Sequence, residues 1–267
     1  MMTTLLLCCL GALLIGVTLG LLGGGGSILT VPLMVYLLGY SPIVAGGYSL
    51  FVVGFSSLFG TVHKYRQGSV NIRIGLLLGV PSFLVVYITR RYLVPHIPDI
   101  LFGFGNFTLT KGMGIMLLFS LVMLFVALTI FRGGKIIDFS ERGRPKYIKT
   151  MFQGVLIGII TGILGIGGGF LYVPILILGT RLSAKMAIGT SLFIITLKSL
   201  IGFFGDIQIL DIDWIFLLTF SAVSVIGIFI GSRFAKRLDN KNLVRIYGYI
   251  LTFIGVSILA HILYQLV

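Results

Sequence analysis

A chain of 267 residues that is 57% hydrophobic and only 10% charged, with a mean hydropathy of +1.13, carries more apolar surface than a soluble core can hide. That composition excludes a soluble globular domain and points to a multi-pass membrane protein. The net charge of +13 sits mostly in loops between apolar segments, so anionic lipid headgroups are the expected partner and nucleic acid is not.

The apolar segments run roughly 3–22, 26–39, 43–61, 72–94, 112–132, 150–165, 168–180, 184–204, 213–231 and 245–265, two sets of five. Runs such as Ile115 to Phe131 and Trp214 to Ile230 are apolar on every face, unlike the alternating strands of a β-barrel. The expected fold is therefore an all-α polytopic membrane protein. Cys8 and Cys9 are adjacent in the first segment and suit neither a disulfide framework nor a zinc site. No basic stretch precedes Leu5, so the first segment reads as a retained helix and not a signal peptide. The second and seventh segments are about 13 residues long, or roughly 20 Å of helix against a hydrocarbon core of about 30 Å.

Sliding the second half over the first at an offset of 142 residues, without gaps, matches about 18 of the 45 positions from Gly16 to Gly60. The chain thus divides into a first repeat (1–132), a basic linker (133–149) and a second repeat (150–267). Matched residues include Gly20/Gly162, Gly25/Gly167, Pro32/Pro174, Gly47/Gly189, Ser49/Ser191, Ser57/Ser199 and Gly60/Gly202. Four loops, Lys64 to Arg73, Arg132 to Lys149, Arg181 to Lys185 and Arg233 to Arg245, hold 16 of the 20 basic residues, which makes them cytoplasmic by the positive-inside rule. Arg90, Arg91 and Lys111 run against that rule. The acidic loop Gly205 to Asp213, counterpart of Lys64 to Arg73, faces out. Equivalent loops on opposite sides imply inverted repeats, with both termini outside the cytoplasm.

Gly20 to Pro32 reads GLLGGGGSILTVP and Gly162 to Pro174 reads GILGIGGGFLYVP. Such glycine runs break a helix, and broken backbone at membrane depth is tolerated where it lines a cavity. The helix starts at Gly24, Gly25, Gly26 and Ser27, and at Gly167, Gly168 and Gly169, are expected to turn their positive ends to a shared anion. Close helix packing is the alternative reading, and the favoured one for the pairs Gly16/Gly20, Gly158/Gly162 and Gly227/Gly231. Ser49, Thr190 and Ser191, with Ser57 and Ser199 two turns along the same helices, offer hydroxyls to a substrate oxygen. Lys198, deep in its segment with no carboxylate nearby in sequence, is the sharpest candidate: an intramembrane ion marks function, or else snorkels to an interface. Of the usual proton carriers only His63 comes close to the membrane, so proton coupling would use His63, Lys198 or the substrate.

No HExxH, GxSxG or Walker lysine is present, so the chain is not read as an enzyme, and neither a cofactor nor a metal site is expected. The doubled glycine run with its prolines, Ala187-Ile188-Gly189-Thr190-Ser191-Leu192, Ser199-Leu200-Ile201-Gly202, His63-Lys64-Tyr65-Arg66-Gln67-Gly68 and Asp213-Trp214 together resemble the sulfite exporter TauE/SafE family. The resemblance runs from about Leu10 to Leu263 and implies a bacterial or archaeal inner-membrane permease for small sulfur-containing anions. Tyr48, where the second half has Thr190, and Lys198, where a small polar residue is expected, depart from the pattern. The expected function is a secondary transporter or facilitator of a small anion such as sulfite, thiosulfate or an organosulfonate. The alternatives are an anion channel and a membrane scaffold, and the sequence leaves a homo-oligomer open.

Overall fold

The computed structural model describes residues 2–104, 107–133, 147–164, 169–180, 182–207, 210 and 212–266. Within them the ten predicted segments are ten helices: α1 (Met2–Leu22), α2 (Gly25–Pro32, continued by a π-helical stretch, Leu33–Leu37), α3 (Pro42–Arg66), α4 (Ile72–Ile88, extended by a π-helical stretch, Thr89–Leu93), α5 (Lys111–Gly133), α6 (Tyr147–Leu164), α7 (Gly169–Thr180), α8 (Ala184–Asp206), α9 (Trp214–Arg237) and α10 (Asn240–Leu266). Six of these, α3, α4, α5, α8, α9 and α10, are long and apolar enough to cross a membrane. The protein is an all-α polytopic membrane protein. Most of the predicted linker lies outside the described residues.

One element was not anticipated, an antiparallel hairpin of β1 (Ile100–Phe104) and β2 (Phe107–Thr110) between α4 and α5. Its signal was present: Phe102, Phe104, Phe107 and Leu109 alternate with smaller residues on either side of Gly105-Asn106, a pattern that suits a two-residue hairpin loop.

The local chemistry of the helix starts is doubled along with the sequence. Ser41 caps α3 by accepting the Val44 N–H, and Ser183 caps α8 by accepting the Met186 N–H. Asn71 caps α4 through Ile74 N–H and Asp213 caps α9 through Phe216 N–H. Each cap satisfies an amide the helix cannot, worth about 1 kcal/mol.

From α1 to α4 and from α6 to α9, the helices pair in a pattern that survives exchanging residues 142 positions apart. α1 runs parallel to α9, with Gly16 against Ser224 and Gly20 against Ile228; α6 runs parallel to α4, with Gly158 against Ser82 and Gly162 against Thr89. A Cβ on any of these glycines would strike the facing helix, so the spaced glycines are close-packing contacts. At the centre, α3 and α8 lie antiparallel: Leu50 faces Gly202, Gly54 faces Ser199, Ser57 faces Thr196 and Gly60 faces Leu192. α5 and α10 are also antiparallel, with Leu124 at Gly255 and Phe131 at Gly248.

Within the first half, α2 turns back along α1, for Gly26 rests on Ile15 and Leu19, and Gly11 on Leu33. The short predicted segment is thus the return leg of a helical hairpin whose tip is the glycine run. These pairings gather the ends of α3 and α9 and the starts of α8 and α10 at one end of the bundle, where Lys185 Nζ donates to the Lys236 carbonyl at 3.2 Å.

Candidate functional site: the meeting of two helix breaks

α1 ends where Gly23 adopts a left-handed backbone conformation, φ 70°, that other residues rarely adopt. The chain then reverses through Gly24, and α2 begins with no side-chain cap. Gly24 meets Gly169, the first residue of α7, backbone to backbone: a Cβ built on Gly169 would lie 2.6 Å from the Gly24 Cα. The same Cβ would meet Ile195, the central residue of the 23-residue α8. The two breaks therefore touch, beside the middle of a membrane-length helix. Gly25, Gly26 and Ser27 form the first turn of α2; Gly167 and Gly168 lie outside the described residues.

One stripe of α8 runs along this junction. Ser191, Ile195 and Lys198, at i, i+4 and i+7, share a helix face. The Ser191 hydroxyl is shared between the carbonyls of Gly23 and Ile188, each at 2.8 Å, which ties α8 to the break. Lys198 is 0% exposed. Its Nζ donates to Thr161 Oγ1 on α6 at 2.7 Å and stands 5.1 Å from the centroid of the Tyr172 ring on α7, a cation–π arrangement. The Tyr172 hydroxyl in turn bonds to Ser82 on α4. The matched residues are Ser56, Leu19, Thr30 and Ser224, so the cationic pocket has no counterpart at the matched place. Thr161, Tyr172 and Ser82 were not singled out from sequence, although a threonine and a tyrosine within otherwise apolar segments were the available signal.

The remaining sequence candidates divide. Ser49, matched to Ser191, is fully buried, and its hydroxyl has no hydrogen-bond partner among the described residues. Ser57 and Ser199 lie on the faces where α3 and α8 meet. Ser57 Oγ bonds to Thr196 Oγ1 at 3.0 Å, and Thr61 Oγ1 reaches the same Thr196 oxygen at 3.2 Å. Thr190 points away from the break and accepts the Asn71 N–H at 2.9 Å. His63 lies at the basic end of α3 with Nε2 2.6 Å from the Gln67 side-chain nitrogen.

An apolar void next to the junction, among Leu22, Val173, Pro174, Ile177 and Ile188, has a volume of about 20 Å³, space for roughly one water. At the far end of α8, Asp206 pairs with Arg90, Arg90 Nε at 3.0 Å and Nη2 at 2.6 Å from the carboxylate. Both side chains are buried, so the arginine that ran against the charge rule is neutralised in place.

Comparison with known proteins assigns this architecture. The family model described as sulfite exporter TauE/SafE matches residues 8–258. A probable membrane transporter protein of Xylella fastidiosa is 31% identical over 258 residues, covering 92% of this chain and 91% of its own length. The probable membrane transporter protein YunE of Bacillus subtilis is 27% identical over 268 residues, covering 92% and 94%. One of Haemophilus influenzae is 30% identical over 215 residues, covering 78% and 75%. No solved structure matches the chain. With the glycine break after α1 packed against the start of α7 in a bundle of membrane-length helices, the chain belongs to the sulfite exporter TauE/SafE family and is a membrane transporter.

Proposed function

We propose that the protein carries a small oxyanion, sulfur-containing as in sulfite, thiosulfate or an organosulfonate, across the cytoplasmic membrane by alternating access between two inverted repeats. The observation that carries this reading is the junction of Gly24 and Gly169 beside the Ser191–Lys198 face of α8. Two helix starts bring amide ends and positive dipole ends to one place. Lys198 stands at full burial with no carboxylate paired to it among the described residues, an arrangement that an arriving anion would relieve. Ser191 and Ser49 supply hydroxyls from α8 and α3. The antiparallel α3 and α8 favour inversion of the halves, and the basic residues at the ends of α3 and α9 and the starts of α8 and α10 favour a cytoplasmic face there. In this reading the Gly24–Gly169 contact is the occluded state, and transport parts it alternately toward each side.

Reconstitution into proteoliposomes tests the proposal. Saturable sulfite or thiosulfate uptake with trans-stimulated counterflow is the expected result; flux that never saturates, or none with any sulfur oxyanion, overturns it.

A further inference from the structure

The halves differ at one matched pair of places. α8 ends with Asp206, and 142 residues earlier Lys64 stands in the last turn of α3; the extension of α4 carries Arg90, and α9 has Ser232 at the matched position. At one end of the bundle, Asp206 and Arg90 neutralise each other. Among the described residues, the other end has no such ion pair. Lys64 is only 4% exposed, yet among the described residues its Nζ has neither a carboxylate nor a hydrogen-bond partner. The Ser232 hydroxyl is buried and equally unpartnered. Lys64 lies one turn beyond Gly60 on α3, and Ser232 one turn beyond Ile228 on α9, and Gly60 packs on Ile228.

Further positive charge collects here, and among the described residues no carboxylate pairs with it. Lys185 and Lys236 lie within electrostatic range of Lys64, and Lys64, Lys236 and Arg66 all act on His63. Asp239, the acid nearest in sequence, is exposed and pairs with none of them. A cation on a largely buried side chain, set among other cations and without a counter-charge, is expensive to keep. At the opposite end the protein supplies that counter-charge itself.

We propose that Lys64, Lys185 and Lys236, with the Ser232 hydroxyl, bind one oxyanion group of the sulfate or phosphate class, standing in for the carboxylate that Asp206 provides at the other end. Ammonium and hydroxyl donors around a tetrahedral oxyanion make charge-assisted hydrogen bonds. A free anion and the headgroup phosphate of an acidic phospholipid offer the same chemistry. The site is separate from the helix breaks and does not rest on the transport reading.

The test uses the full-length protein in phosphatidylcholine nanodiscs, with sulfate titrated against chloride at constant ionic strength and binding read by calorimetry. Wild type binds sulfate; Lys64→Gln weakens binding about tenfold or more, Lys64→Arg stays close to wild type, and Lys198→Ala leaves this component intact. Ser232→Ala, which deletes only an unpartnered hydroxyl, moves affinity in the same direction and serves as the readout if Lys64→Gln does not fold. Adding phosphatidylglycerol separates the two sources: competition with sulfate in wild type but not in Lys64→Gln identifies the lipid headgroup, and no competition identifies a free anion. Sulfate binding and lipid sensitivity that are the same in wild type, Lys64→Gln and Ser232→Ala, or absent from wild type, overturn the proposal.

Discussion

Tyr48 and Thr190, unlike residues at matched places in the two halves, make the same hydrogen bond. The Tyr48 hydroxyl accepts the N–H of Asp213 at 2.9 Å, and the Thr190 hydroxyl accepts the N–H of Asn71 at 2.9 Å. Asp213 and Asn71 are themselves matched, each the cap of the next long helix. A phenol and a methyl-bearing hydroxyl thus hold the starts of α9 and α4 across the central pair. Tyr48→Phe and Thr190→Val each leave that N–H without its acceptor and are expected to lower stability by about 1–2 kcal/mol. Thr190→Ser keeps the oxygen and stays near wild type. Thermal unfolding in detergent compares the three.

The glycines differ in what they tolerate. Gly24→Ala and Gly169→Ala place a methyl group against facing backbone that cannot swing aside, so each is expected to cost at least about 1–3 kcal/mol through overpacking. Gly79→Ala meets only Ile194, at 3.5 Å, and gains about 0.5–1 kcal/mol of helix propensity. Melting temperatures should move in opposite directions.

Arg90 and Asp206 form a buried pair, so removing one partner strands the other. Asp206→Asn and Arg90→Met are each expected to destabilise by about 3–5 kcal/mol, with the double variant recovering much of the loss because no lone charge remains. A double-mutant cycle of unfolding free energies measures the coupling; additive losses would mean that the pair contributes nothing as a pair.

Orientation follows from where the basic residues gather. Cysteines at Gln67 and Asn240 are expected to react with a membrane-impermeant maleimide only in inside-out vesicles, and cysteines at Asp99 and Asp213 only in intact cells.

The bundle was legible because hydropathy and charge are backbone-scale signals: Pro42 after the Ser41 cap, the doubled glycine runs and the basic loops mark helix ends whatever packs against them. The 142-residue offset even carried register, since Gly54 facing Ser199 and Ser57 facing Thr196 are images of each other. The partners of single side chains were hidden. Nothing in sequence spacing brings Thr161 and Tyr172 to Lys198, or Arg90 to Asp206 across 116 positions, because those contacts depend on which helices are neighbours. The contrast between Tyr48 and Thr190 read as a departure from the pattern, whereas the helix-start contact they share is made by hydroxyls at different distances from the backbone.

The central claim is that an anion is held where the two breaks meet, on the Ser191–Lys198 face of α8 and not on the neighbouring face that packs on α3. Sulfite counterflow in proteoliposomes of wild type, Ser191→Ala, Lys198→Ala and Ser199→Ala tests it most directly. Loss of about tenfold or more is expected for the Ser191 and Lys198 variants, as for removal of a hydrogen bond to a charged group, with Ser199→Ala close to wild type. Equal counterflow in all four proteins would contradict it.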